Sequence, residues 1–275
     1  MRLDVYVAQF WPEHSRSTWQ KLIAAGKVSV NGTVETSTKR ELGEDDVVTV
    51  RQPDAPDFTT QELPVVYEDD NVVVINKPVG VLTHSKGELN DEFTVAEFVR
   101  PKTTYKSETN RPGIIHRLDR ATSGIIICAK NDESASMLQR QFTDRTLKKR
   151  YVAVLEGTLK QPEAVIDLPI NRNPNAPSTF RVDANGKSAQ TTYRVLQEST
   201  DKTLVELLPK TGRTHQLRVH MAYLGAPILG DTVYGKRKAE RMYLHAASLE
   251  VTLPGGVRTT FEAPLPPEFE QELTR

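Results

Sequence analysis

The sequence predicts an α+β fold: a large domain on a mixed, largely antiparallel β-sheet with flanking helices, preceded by a small module of its own. Three observations carry this. Strand-like runs outnumber helical ones and often follow one another directly, which parallel βαβ units do not do. The stretch RQPDAPDFTTQELP, residues 51–64, is rich in proline and polar residues and reads as a linker. The chain has 275 residues, 37% of them hydrophobic, enough for one large domain with a real core and a small attachment. The expected division is a module over 1–52, a linker over 53–64 and the large domain over 65–275.

The elements follow in order. Leu3, Val5, Val7 and Phe10 open the module, and SRSTWQKLIAAGKVSVNGTV continues it. Ser15 or Ser17 is placed to cap a helix that Gly26 ends. A short strand VSV, a turn at Asn31-Gly32 and a later strand VVTV complete two helices and a small hairpin. In the large domain, VVYEDDNVVVINKP is a strand, a turn and a second strand that stops at Pro78. DESASMLQRQFTDRTLKK, 132–149, is the clearest helix, because Ala135, Leu138 and Phe142 recur at helical spacing after Asp132 or Ser134. The strands YVAVLEG, SAQTTYRVLQES and TLVELLPK come next, then a helix over THQLRVHMAYLG and a final hairpin around SLEVTLPGGVRTTFEA.

Composition narrows the function. Lysines and arginines number 36 and so do aspartates and glutamates, so nothing attracts a polyanion globally and nucleic-acid binding requires local patches. The single cysteine, Cys128 in IIICAK, excludes an internal disulfide and a cysteine-based zinc cluster and reads as a core residue. No stretch approaches the ~20 apolar residues of a membrane span, and the expectation is a soluble cytoplasmic protein.

Charge clusters where motifs do. From Arg111 to Tyr151, nine basic residues, among them Arg117, Lys149 and Arg150, face four acidic ones. From Lys210 to Arg241, seven basic residues, among them Arg213 and Arg218, face two. These segments either meet as a phosphate-tracking surface or remain separate solvated faces. In the small module Arg16, Lys21 and Lys27 are the helix-face cations, in a segment where seven basic residues balance seven acidic ones.

Asp119 lies in HRLDR between Arg117 and Arg120, next to the apolar run of IIICAK. Burying that charge costs several kcal/mol unless it is paired. It is open to three roles: nucleophile, general base or partner in a structural ion pair, with Arg213 one candidate for the cation. His84, His116, His215, His220 and His245 lack the short spacings of metal ligands, so no metal is expected. KPVGVLTH and LPKTGRTH match neither dinucleotide nor Walker patterns, so no nucleotide cofactor is expected either.

The run RPGIIHRLDRATSGIIICAK closely resembles the catalytic signature of the RluA-type pseudouridine synthases. NKPVGVLTH, LKKRYVAVLEG and LPKTGRTHQLRVHMAYLGAPILGDTVYG match further motifs in the right order, and YLHAASLEVTLPGG with TTFEAPLPPEF resembles the family's ending. Residues 2–50 resemble the S4 RNA-binding module that many of these enzymes carry. The resemblance implies isomerisation of uridine to pseudouridine in RNA, without cofactor or metal, with Asp119 the catalytic aspartate, Tyr151 the active-site tyrosine and Arg213 the basic partner of Asp119. Apart from the resemblance, the basic segments and the helix face make Arg117, Arg16, Lys21, Lys27, Lys149, Arg150, His215 and Arg218 the expected RNA contacts. By analogy the S4-like module favours large-subunit ribosomal RNA as partner; transfer RNA, or a mainly RNA-binding assembly role, is the alternative.

Overall fold

The computed structural model describes residues 1–51, 57–85 and 92–274. They fall into two compact units, Met1–Thr60 with Ser85–Phe93, and Gln61–His84 with Thr94–Arg275. Part of the expected linker, 52–56, lies outside the described residues. Leu63, at its other end, is already buried in the second unit, and Pro64 accepts a hydrogen bond from the Asn76 amide.

In the first unit α1 (Leu3–Phe10) and α2 (Arg16–Ala24) pack on β1 (Val28–Val30), β2 (Thr33–Glu35) and β3 (Val48–Val50), an antiparallel sheet in the order β2-β1-β3. The Ser15 hydroxyl caps α2 by accepting from the Thr18 amide at 3.3 Å. Asn31 and Gly32, with φ of 53° and 78°, make the two-residue turn that joins β1 to β2 in hairpin twist. Leu3, Val7, Trp19, Leu22, Ile23, Val28 and Val30 bury together as its core.

The second unit runs β4 (Val65–Glu68), β5 (Val72–Lys77), α3 (Val95–Val99), a 3₁₀ turn (Arg100–Lys102), β6 (Ser123–Ala129), α4 (Asp132–Asp144), β7 (Lys148–Glu156) and β8 (Glu163–Asp167). It continues with β9 (Ile170–Arg172), β10 (Phe180–Val182), β11 (Gln190–Glu198), β12 (Lys202–Pro209), α5 (Gln216–Tyr223), β13 (Leu244–Thr252), β14 (Arg258–Glu262) and α6 (Glu268–Thr274). One nine-stranded sheet has the order β4-β5-β6-β13-β7-β12-β11-β8, with β14 also on β13, while β9 and β10 form a separate hairpin. Among the described residues β6 and β13 are the parallel pair and the other strand pairs are antiparallel, as expected. No helix among the described residues is long and apolar enough to cross a membrane.

Side-chain alternation on β7 and β12 sorts the two faces. Ala153, Leu155, Val205 and Leu207 pack with Leu217 and Met221 of α5. Val152, Val154 and Leu204 pack instead with Phe269 and Leu273 of α6. β6 is buried along its whole length, Cys128 included, and burial pushes that thiol up to about 12. The helix expected over 132–149 ends earlier, at Asp144: Arg145 takes a left-handed φ of 58°, and Lys148 and Lys149 belong to β7. Its cap is Asn131, whose side chain accepts from the Ser134 amide at 2.9 Å.

Candidate active site

The site lies in the second unit, in a cavity of about 160 Å³ lined by Asp119, Tyr151, Lys149, Arg117, Arg218 and His215, among others. Asp119 sits in a loop four residues before β6, where the Thr122 amide returns to the Asp119 carbonyl at 3.0 Å. A tight turn therefore spans 119–122, and Ser123 and Gly124 belong to β6. The segment after β5 is the mould for this loop. Thr83 Oγ1 donates to the Leu118 carbonyl at 2.8 Å and accepts from the Leu118 amide at 3.2 Å. The Gly80 amide donates to the Arg120 carbonyl at 2.8 Å. Lys77 is fully buried, and its ammonium donates to the carbonyls of Pro78 and Val81 at 2.8 Å and of Arg120 at 3.4 Å. Three acceptors match its three donors, although burial lowers it to about 7 against the opposing pull of Asp119. NKPVGVLTH thus shapes the Asp119 loop.

The cation on Asp119 is Arg218, and the expectation of Arg213 is corrected. Arg218 Nη1 donates to Asp119 Oδ2 at 3.0 Å. Its Nε and Nη2 both donate to Asp231, each at 2.7 Å. Arg213 lies in the loop before α5, and its Nε donates to the Ser188 carbonyl at 3.0 Å. The physical reason is the break in direction at His215, which takes a left-handed φ of 56° and starts α5 one residue later. Residues before it remain in the loop, while Arg218, in the first turn, points into the protein and is 7% exposed.

Asp231, which the sequence offered only as a charge, holds the other edge of the Arg218 guanidinium. It is fully buried on its side chain and accepts the amides of Val233 and Tyr234 at 2.9 and 3.1 Å as well as the arginine. Burial alone would raise its pKa, but Arg218 and those amides outweigh it and hold the carboxyl below the usual range. Removing the arginine would strand a buried carboxylate, a loss of about 3–5 kcal/mol. The signal was present as ILGD within the long motif.

β7 aims the remaining groups. Lys149 and Tyr151 share the α5 face and line the cavity, whereas Arg150 points to the other face, where its Nε pairs with Glu206 at 2.6 Å. Lys149 Nζ donates to the Thr211 carbonyl at 3.0 Å, and burial, with Arg145 nearby, lowers it to about 8. The Tyr151 hydroxyl has no hydrogen-bond partner among the described residues; burial first, then the charge of Asp119, push its pKa upward. Its ring therefore meets the cavity as a neutral phenol. Gln216 fixes the GRT loop, with Oε1 accepting from Thr211 Oγ1 at 2.6 Å and from the Arg213 amide at 3.0 Å.

His215 faces Asp119 with Nε2 at 3.7 Å, and its Nδ1 is 2.9 Å from the Tyr234 hydroxyl. That hydroxyl also accepts the Phe180 amide at 2.8 Å, so Tyr234 ties the start of β10 to the His215 ring. Arg117 is exposed at the cavity wall without an ion pair among the described residues. In the first unit, Arg16 is drawn into structure: its Nε and Nη2 donate to the buried Asp4 at 3.0 and 2.9 Å, beside Arg2 and Gln20. Lys21 and Lys27 carry no ion pair among the described residues.

Comparison with known proteins extends this geometry. A family model described as RNA pseudouridylate synthase matches residues 71–223, and one described as S4 domain matches residues 1–48. The uncharacterized RNA pseudouridine synthase YlyB of Bacillus subtilis is 38% identical over 98% of this chain and 92% of its own. Ribosomal large subunit pseudouridine synthase D of Nitrosomonas europaea is 36% identical over 98% of this chain and 82% of its own, and that of Vibrio cholerae is 35% identical over 98% and 89%. Among solved structures, human RNA pseudouridylate synthase domain containing 1 aligns with a TM-score of 0.63 at 28% identity, covering 76% of this chain and 86% of that one.

Proposed function

This chain belongs to the RluA-type family of RNA pseudouridine synthases, and from that premise we propose that it isomerises uridines of large-subunit ribosomal RNA with Asp119 as its catalytic carboxylate. The observation that carries the assignment is the pairing of Asp119 with Arg218 at 3.0 Å on the wall of a cavity that also presents Tyr151. The guanidinium fixes the direction of the carboxylate.

The chemistry is an isomerisation: the bond from ribose C1′ to uracil N1 breaks, one from C1′ to C5 forms, and the proton leaves C5 while N1 gains one. Reactant and product have the same atoms and oxidation level, so no cofactor or redox partner is required. The uridine leaves its stack and enters the cavity, at a cost of a few kcal/mol that phosphate contacts offset. Asp119 acts either at ribose C1′ or by addition at uracil C6. Tyr151 stacks on the ring and keeps the freed base in place while it turns. Arg117, at the cavity wall beside Asp119, supports the flipped nucleotide or fills the stack it vacates. Lys149 holds phosphate at the same wall, and Lys21 and Lys27 contact RNA from the S4 unit. Two relatives named for the ribosomal large subunit support that target, and the reading places the protein in the cytoplasm.

The test is a map of carbodiimide-detectable pseudouridines in unmodified large-subunit ribosomal RNA and in total transfer RNA, each incubated with the protein or its Asp119→Asn variant. Aspartate-dependent sites in the ribosomal RNA are expected. Sites confined to transfer RNA would overturn the target, and sites that persist in Asp119→Asn would overturn the catalytic carboxylate.

A further inference from the structure

Beside the catalytic cavity lies a second cleft, of about 450 Å³, that the proposed reaction does not use. Residues Gly212, Arg213 and Thr214 line both, so their loop is the wall between them. The far side is the β9–β10 hairpin, with Arg172 and Phe180, and Lys187 follows it. Among the described residues the cleft is lined by three cations and one aromatic ring, and by no carboxylate.

Each cation is placed to meet a ligand. The Nε of Arg213 is held by the Ser188 carbonyl at 3.0 Å, and its terminal amino groups have no partner among the described residues. Lys187 is exposed and forms no ion pair among the described residues. Arg172 anchors Nη1 on the Pro177 carbonyl at 3.0 Å and lays its Cζ 5.6 Å from the centre of the Phe180 ring. Guanidinium and ring thus lie together on one side of the cleft lining, with Arg213 and Lys187 as its other cations. Single-stranded RNA is held by this combination, bases on π-faces and phosphates on cations. The volume falls within the range of about 300–1,000 Å³ typical of small-ligand sites. The Arg172 and Phe180 pair is also registered to the catalytic centre: the Phe180 amide donates to the Tyr234 hydroxyl, which contacts the His215 ring facing Asp119.

A base cannot leave its stack without exposing the faces of its neighbours, and a platform one loop away from the cavity can take one of them. We propose that this cleft is a second nucleotide subsite, which binds the base and phosphate of the nucleotide adjoining the target uridine. The assignment rests on the reading of the neighbouring cavity as the uridine site. It also gives Arg213 a role of its own, as a phosphate ligand on the dividing wall.

The full chain is titrated with a fluorescein-labelled single-stranded RNA of twelve random nucleotides, which is then displaced by uridine 5′-monophosphate or by 5′-phosphorylated dinucleotide pools, pUpN and pNpU. One pool should compete at least about tenfold better than the mononucleotide, the gain expected of one stacked base with its phosphate. Phe180→Ala and Lys187→Glu should each cut that advantage to less than about threefold while leaving mononucleotide competition unchanged, and Phe180→Tyr should restore it. Absence of an advantage in the unaltered protein, or an advantage that neither substitution reduces, overturns the subsite. Failure of the uridine-site reading has another mark, mononucleotide competition that Tyr151→Ala does not weaken, and that result would remove the basis of the subsite as well.

Discussion

Arg218 gives Nε and Nη2 to Asp231, each at 2.7 Å, and so reaches Asp119 with Nη1 alone. The bidentate pair fixes the plane of the guanidinium, and the third contact then sets where the Asp119 carboxylate lies. Arg218→Lys cannot reproduce the fork, so it should lower kcat on the RNA substrate at least about a hundredfold while the aspartate remains present. Asp231→Asn should lower kcat in the same direction although it lines neither cavity wall, and should also shift the midpoint of urea unfolding downward. Arg213→Ala should leave that midpoint within error and act on RNA affinity. Equal losses of kcat in Arg213→Ala and Arg218→Lys would contradict the geometry.

Tyr151 offers its ring to the cavity, and its hydroxyl has no hydrogen-bond partner among the described residues. If stacking holds the uracil, Tyr151→Phe should retain RNA affinity within about threefold, and Tyr151→Ala should lose about tenfold. The measurement is equilibrium binding of substrate RNA in an Asp119→Asn background, which removes turnover from the reading. Equal losses of affinity would assign the contact to the hydroxyl.

The fold class, the small module and most strands were legible because alternation and turn chemistry are local. Asp119 and Tyr151 were legible through motif resemblance, and the structure brings both to one cavity. Other features depended on tertiary placement. Lys149 and Arg150 are adjacent in sequence, yet strand alternation sends one into the cavity and the other to Glu206. Arg213 and Arg218 look equivalent in a basic run until the left-handed His215 separates loop from helix. Asp4 counted only as one of seven balancing acids, but it is the buried partner that takes Arg16 away from the solvent face. The short strands β9 and β10 carry weak local signal, and only their packing beside the Asp119 cavity reveals a second cleft.

If Lys149 meets RNA phosphate as proposed, it should make RNA affinity depend on pH. Its pKa is lowered to about 8, chiefly by burial, so below pH 8 it is a cation in the cavity and above it the charge is lost. A bound phosphate raises that pKa, so affinity should be full below pH 8 and fall as pH rises toward the bound value, by at most about tenfold per unit. The check is RNA affinity between pH 6.5 and pH 9.5, values chosen to be about 1.5 units either side of the titration. Lys149→Arg keeps its charge across that range and should flatten the fall. An unchanged slope in the variant would place the titrating group elsewhere.

The close approach of β13 explains why the second residue of the strand after Asp119, Gly124, has no side chain. β6 meets β13 in parallel there, with Gly124 opposite Ala246, and a Cβ on Gly124 would stand 2.2 Å from the Ala246 carbonyl oxygen. Its φ of +108° is one that other L-residues rarely adopt. Gly124→Ala combines strain with a clash against backbone, which no rotamer change relieves, and should cost at least about 2–3 kcal/mol. In a domain of this size that lowers Tm by about 5–10 °C. Because the same strand anchors the turn at 119–122, activity measured well below the lowered Tm should fall too, as the Asp119 carboxylate leaves its place against Arg218. Retained stability together with retained activity would show that the β6–β13 contact can open without disturbing the site.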